Sequence, residues 1–149
     1  MSWCLWLLPA LASDDLDGDG LVDADEEIWG TDPTREDTDG DSLLDGFEVH
    51  TLGTLPTAYD TDGDGLADWE YLFGLDPLDA DSDDDDLLDG TEVDLATDPL
   101  VDDTDNDLLS DGDEVLIHDT DPLDDDTDDD GLGDGPEITA GTDPLAQDT

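Results

Sequence analysis

Isolated leucines set the rhythm of this chain. Leu21, Leu43, Leu66, Leu87, Leu109 and Leu132 recur at intervals of 22, 23, 21, 22 and 23 residues, each set among aspartates and glycines. Six or seven residues after each comes a second apolar position, at Ile28, Val49, Leu72, Val93, Val115 and Ile138. The stretch leading to that position starts at an Asp and carries a Glu three residues later in all but one case, which puts both acids on one helix face. It reads as a helix of about two turns. A proline then closes every interval, at Pro33, Pro56, Pro77, Pro99, Pro122 and Pro144, preceded by glycine in most of them, and the helix stops there. The expected fold is a tandem-repeat array stapled by metal, with little regular structure, one short helix per repeat and no β-sheet core. Each unit would share a little apolar contact with its neighbours. The leucine and the second apolar position are the expected core, with Trp29, Phe47, Trp69 and Phe73 adding local packing.

Aligned on the leucines, the chain resolves into six copies at residues 15–36, 37–59, 60–80, 81–102, 103–125 and 126–147. Every copy keeps Asp at its first, third, fifth and ninth places and Leu at its seventh. The next first-place Asp always lies four residues after the proline, so all length variation falls between the ninth place and the proline. Asp148-Thr149 matches the first two places of a seventh copy, as expected of a fragment or of a half-site completed by a neighbouring chain.

Composition narrows what such an array can do. Of 149 residues, 50 are Asp or Glu and Arg35 is the single Lys or Arg, for a formal charge of −49. Hydrophobic content is 34%, against a usual value of about 45–50%, so an ordinary apolar core is excluded. Nucleic acid and anionic membranes repel this charge and are excluded as direct partners. The natural counter-charge is a multivalent cation. Cys4 is the only cysteine, so no disulfide framework replaces the core. Residues 1–12 are uncharged and end in Ala10-Leu11-Ala12, which suggests a secretory leader with Ser13 opening the mature chain. The stretch is too short for a membrane span.

Alternating Asp at places one, three and five, a turn former at six and Glu at twelve match the calcium-loop pattern. Ca²⁺ takes about six to eight hard oxygens at about 2.3–2.6 Å, and a tightly curled chain turns every second side chain inward. The expected ligands in copy one are Asp15, Asp17, Asp19, Asp23 and Glu26; in copy two, Asp37, Asp39, Asp41, Asp45 and Glu48. Copy three offers Asp60, Asp62, Asp64, Asp68 and Glu70, and copy four Asp81, Asp83, Asp85, Asp89 and Glu92. Copy five offers Asp103, Asp105, Asp107, Asp111 and Glu114, and copy six Asp126, Asp128, Asp130, Asp134 and Glu137. The backbone carbonyls of Leu21, Leu43, Leu66, Leu87, Leu109 and Leu132 are the expected seventh-place ligands. Mg²⁺, which keeps its waters, and Zn²⁺, which prefers Cys and His, are poorly served.

About ten residues between one Glu and the next first Asp leave no room for paired flanking helices, which sets these loops apart from EF-hands. From residue 15 to residue 149 the chain resembles the bacterial thrombospondin type 3 repeat, close to D-x-D-G-D-G-L-x-D-x-x-E followed by G-T-D-P. G-T-D-P itself stands at residues 30–33 and 141–144, with variants in the other copies. The resemblance implies calcium-binding modules of secreted or cell-surface proteins, without catalytic activity. Copy three departs from it: Glu70 falls at the eleventh place, and Leu55 replaces the Asp before the proline. It is expected to bind most weakly and to open first. Asp86 and Leu108 replace the sixth-place Gly of copies four and five and should strain those turns. The turn aspartates Asp32, Asp76, Asp98, Asp121 and Asp143 either brace the following site or cap a solvated turn.

Calcium is thus the expected cofactor and the expected role a calcium-rigidified spacer or stalk at the cell surface. A self-assembling filament or surface-layer subunit, partnered by copies of itself or by other surface proteins, is the alternative. A carboxylate-pair hydrolase, needing two carboxylates about 5–10 Å apart, ranks last, because no nucleophile–base pair is visible and His50 and His118 fall in the variable stretch.

Overall fold

The computed structural model describes residues 14–147. The leader and the start of a seventh copy therefore lie outside the described residues. Within them the chain forms eight helical segments, two pairs of which are contiguous, giving six short helices, one per copy, and no strand. The array expected from the leucine rhythm is what folds.

Each helix opens at the ninth-place Asp, which follows an extended eighth residue in the copies other than three. The length variation of the copies is absorbed in how the helices wind. Copies one, four and six, with 22 residues between first places, form α-helix over Asp23–Trp29, Asp89–Leu95 and Asp134–Ala140. Copies two and five are one residue longer. Their helices start as α at Asp45–Phe47 and Asp111–Asp113 and widen to π at Glu48–Leu52 and Glu114–His118. Copy three is one residue shorter than the first group and winds as a 3₁₀ helix over Asp68–Phe73. A π turn holds one more residue per hydrogen-bonded ring than an α turn and a 3₁₀ turn one fewer, so the proline turn arrives in register each time.

The helices end on a left-handed residue: Gly30, Gly53, Gly74 and Gly141, but Ala96 and Asp119 in copies four and five. The turn beyond is capped by the aspartate before the proline. Asp32, Asp76, Asp98, Asp121 and Asp143 each accept a hydrogen bond from the amide two residues on. Their exposed carboxylates are turn caps, while the amides of Asp32, Asp98 and Asp121 donate to the second-place hydroxyls of the following loops.

The described residues divide into two compact units, 14–61 with Ala67–Trp69 and Asp62–Leu66 with 70–147. The first holds copies one and two with Asp60, Thr61 and Ala67–Trp69 of copy three; the second holds the rest of copy three and copies four to six.

The core differs from the expected one. Leu21, Leu43, Leu87 and Leu109 are buried, Leu66 is half-buried and Leu132 is exposed. The second apolar set does not form a core: Ile28, Leu72 and Val93 are exposed, and Val49, Val115 and Ile138 are only half-buried. Phe73 is exposed as well. The inward positions are taken by acids. Glu26, Glu48, Glu70, Glu92, Glu114 and Glu137 are at most 2% exposed, and the ninth-place aspartates after copy one at most 1%. On a two-turn helix, an inward glutamate turns its sequence neighbours away from the interior.

Candidate metal centres

Each loop is built around its own carboxylates. The first-place Asp accepts the amides of the fourth and sixth places in copies one, two and five: Asp15 from Gly18 and Gly20, Asp37 from Gly40 and Ser42, Asp103 from Asn106 and Leu108. These bonds curl the chain, and both donating places lie at positive φ in all six copies. The strain expected at Asp86 and Leu108 is present, at φ 76° and 81°, and Ser42 shares it at 83°. The fourth place carries the same requirement, which its Gly, Asn and Asp residues signal, since these tolerate the left-handed region.

Outside copy four, the third-place Asp accepts the fifth-place amide, as in Asp39 from Asp41 at 3.2 Å and Asp105 from Asp107 at 3.2 Å. The fifth-place Asp in turn accepts the amide of the seventh-place Leu at 2.7–3.0 Å in every copy. The ninth-place amide bonds the carbonyl just before the loop, closing it from below.

The ninth-place carboxylate has a role that sequence reasoning missed. One oxygen accepts the second-place amide of its own loop, as in Asp45 from Thr38 at 2.7 Å and Asp68 from Thr61 at 2.7 Å. In copies two to six the other oxygen accepts the second-place hydroxyl, from Thr38, Thr61, Ser82, Thr104 and Thr127. The signal was a hydroxyl at the second place of five copies, where copy one has Leu16. The threonine of the G-T-D-P turn also reaches back. Thr54 and Thr120 donate to Glu48 and Glu114, at 3.2 and 3.1 Å.

A second missed feature joins one copy to the next. The other oxygen of the fifth-place Asp accepts the tenth-place glycine amide of the following copy: Asp19 from Gly46, Asp64 from Gly90, Asp85 from Gly112 and Asp107 from Gly135. A Cβ on Gly46 would stand 2.6 Å from the Asp19 carbonyl oxygen, and one on Gly90 2.5 Å from that of Asp64. Only glycine allows this approach. The sequence trace is glycine at place ten in copies two, four, five and six, against Ala24 and Trp69 in copies one and three.

The structure brings Asp15, Asp17 and Asp19 together, with one carboxylate oxygen of each within 4.8 Å of the others. The same holds for Asp37, Asp39 and Asp41, for Asp81, Asp83 and Asp85, and for Asp41, Glu48 and Asp68. Many of these oxygens are buried and accept no hydrogen bond: Oδ2 of Asp17, Asp39, Asp41, Asp105 and Asp128, both oxygens of Asp83 and Glu92, and Oε2 of Glu26, Glu48 and Glu114. Burial dominates the electrostatics. It pushes Glu26 up to about 7 and Glu48, Glu92 and Glu114 up to about 8, with neighbouring aspartates adding to the shift. Asp41, Asp83 and Asp105 rise to about 6 for the same leading reason. A bare carboxylate is costly to bury unless paired. Arg35, the chain's one Lys or Arg, is exposed and donates to the Asp37 carbonyl. The hard, anionic and unsatisfied oxygens fit a resident divalent cation such as Ca²⁺.

Copy three buries Glu70 like its counterparts, but by winding its helix differently. The tighter 3₁₀ winding carries this residue, one place early, to 2% exposure. Leu55 keeps the turn of its missing Asp, its amide donating to the Thr61 hydroxyl at 3.0 Å as Asp32 does to Thr38.

Comparison with known families finds the one described as bacterial TSP3 repeat matching residues 15–36, 60–70, 103–125 and 126–147, together just over half of the chain. No curated protein gives a significant match. Among solved structures, one titled "Biofilm associated protein - B domain" is 38% identical over 31% of this chain and 11% of its own, with a TM-score of 0.30. Another, titled "Biofilm associated protein - BSP domain", is 45% identical over 29% and 8%, with a TM-score of 0.28. The chain thus spans about a tenth of the length of either one. No helix among the described residues is long and apolar enough to cross a membrane.

Proposed function

The chain belongs to the bacterial thrombospondin type 3 repeat family, and from that premise we propose that it is a non-catalytic, calcium-binding spacer of a secreted or surface protein. The observation that carries the reading is the interior. It is made largely of carboxylates, with an acid at the twelfth place, or the eleventh in copy three, shut away from solvent in every copy. Without a cation these groups oppose folding; with one they become the staples of the fold. In each copy the first-, third- and fifth-place aspartates, the seventh-place carbonyl and the buried glutamate would hold the ion. The ninth-place Asp, whose oxygens orient the second-place residue, would support the loop from behind. Calcium would supply the charge that these oxygens lack.

Outside the cytosol, sites of this kind need affinities of only about 10⁻⁴–10⁻³ M. Tandem copies stapled by ions suit a spacer whose stiffness follows calcium.

Calorimetry on the calcium-free chain tests the reading. It should bind at least five Ca²⁺, with Mg²⁺ competing poorly, and chelation should enlarge the hydrodynamic radius and change the circular dichroism. Fewer than three ions, or no change on chelation, would sink it. Electron microscopy with calcium present separates a single spacer from a subunit that assembles into filaments.

A further inference from the structure

The contact between copies two and three is made unlike the others. Asp19 shares its second oxygen with the Gly46 amide at 2.8 Å, and three later fifth-place aspartates do the same with a tenth-place glycine. Copy three has Trp69 at the tenth place. Asp41 Oδ2 is accordingly buried and accepts no hydrogen bond. Glu48 Oε2 is in the same state. Both residues are at most 2% exposed, and Asp68, at the helix start of copy three, is 1% exposed. One oxygen from each of Asp41, Glu48 and Asp68 lies within 4.8 Å of the others, all inside the first compact unit.

Three convergent, almost fully buried carboxylates have no cationic side chain to balance them. Asp68 is fixed in place by Thr61, through its amide and its hydroxyl, both at 2.7 Å. Glu48 is steadied by the Thr54 hydroxyl at 3.2 Å. Each oxygen so engaged keeps a further lone pair, and the unengaged oxygens of Asp41 and Glu48 complete an anionic, oxygen-only donor set.

We propose that a divalent cation, held jointly by Asp41 and Glu48 of copy two and by Asp68 of copy three, takes the place of the glycine-amide bond at this contact. Asp68 therefore serves the preceding copy as well as its own loop. The start of the copy-three helix sits on copy two only while the ion is bound, whereas the contact of copy one with copy two keeps a direct hydrogen bond. This rests on the calcium reading above, in which Asp41 and Glu48 already hold the copy-two ion, and adds Asp68 of the next copy to that ion's ligands.

Hydrogen exchange of the full chain across a calcium titration tests the idea, comparing wild type with Asp68→Asn and Asp60→Asn. Asn keeps an acceptor for the Thr61 amide but removes the charge. Asp68→Asn should speed exchange in residues 43–52 of copy two by roughly tenfold at subsaturating calcium, through loss of the ion's stabilisation. Asp60→Asn, altering only the copy-three loop, should leave residues 43–52 as in wild type. Circular dichroism at saturating calcium checks that both variants fold. If Asp68→Asn accelerates only residues 60–66, or both variants affect residues 43–52 equally, the shared site is overturned while calcium binding stands. If calcium slows exchange nowhere in the wild-type chain, both readings fall.

Discussion

Leu21 and Leu132 hold the same place in copies one and six, yet Leu21 is 0% exposed and Leu132 is 42% exposed. The loops around them are built alike: each leucine donates its amide to the Asp two residues earlier, at 2.7 and 3.0 Å. Each ninth-place amide bonds the carbonyl before its loop, Asp14 in one case and Asp125 in the other. What differs is the cover. Gly46 of copy two lies against the backbone of Asp19, Gly20 and Leu21. Among the described residues no following copy lies over Leu132. A loop thus makes itself from its own aspartates, but its apolar centre is buried by its successor. In copy one the core leucine thus depends on the next copy for its cover, whereas Leu66 stays half-buried although Gly90 of the following copy lies against Asp64.

The largest perturbation would erase the difference by removing what both copies share. Glu48, Glu92 and Glu114 are pushed up to about 8, and Glu26 to about 7, from an ordinary 4.5, chiefly by burial. A carboxyl whose pKa is higher folded than unfolded favours the fold fully below its unfolded value, and that advantage is lost as pH rises through its folded value. The metal-free chain should therefore compact as pH falls from about 8.5 towards 5. With calcium the sign reverses, because ligands must be deprotonated to bind, and acid releases the ion. Acid should therefore remove the ions but not all of the stability, since protonation replaces some of what the ion supplied. Scattering measurements with chelator and with calcium across this range would check it. A chelated chain equally expanded at both ends of the range would contradict the buried-carboxylate account.

Next in size is the leucine contrast itself. Leu21→Ala should cost about 2–5 kcal/mol, as expected for a fully enclosed leucine. Leu132→Ala should cost under about 1 kcal/mol, because little area is withdrawn from water. Thermal unfolding at fixed calcium separates the two. Equal losses would mean that cover by the next copy is not what buries the seventh place.

The cover can also be attacked from the other side. Gly46→Ala places a Cβ 2.6 Å from the Asp19 carbonyl oxygen and 2.7 Å from the Leu21 nitrogen, both backbone atoms that cannot swing aside. A loss of about 1–3 kcal/mol follows from such overpacking. The counterpart Ala24→Gly, in a copy with none described before it, should cost only the helix propensity of glycine, about 0.8–1 kcal/mol. Exchange rates for residues 19–21 should rise in the first variant and stay unchanged in the second.

The sequence spelled out the elements that repeat within a copy: the loop places, the helix start, the proline turn and the segment that absorbs length. It was far less explicit about contacts between copies. Those appear in it only as a glycine at place ten, which reads like any other loop glycine until its partner carbonyl is known. Ile28, Leu72 and Val93 were assigned to the core because hydrophobic periodicity assumes an apolar interior. In this chain the interior is lined by glutamates, so the apolar residues beside them face solvent. The second-place threonines were overlooked because a hydroxyl between two aspartates resembles ordinary polar filler, whereas Thr38, Thr61, Thr104 and Thr127 fix the ninth-place carboxylates.

The smallest effect tests whether the loops are as self-contained as the comparison of Leu21 with Leu132 implies. Leu108 sits at φ 81° and is 84% exposed, so its side chain takes little part in any core. Its amide still donates to Asp103 Oδ2 at 3.0 Å, as Gly20 and Gly131 donate to Asp15 and Asp126. The backbone bond is therefore kept at the expense of a strained residue. Leu108→Gly should relieve that strain and stabilise copy five by about 1 kcal/mol, less than the full left-handed penalty because glycine frees the unfolded chain. The gain should be confined to exchange in residues 103–111. A neutral or destabilising result would mean that the Leu108 side chain is held by something other than its loop, and that copies are less autonomous below their cores than copies one and six suggest.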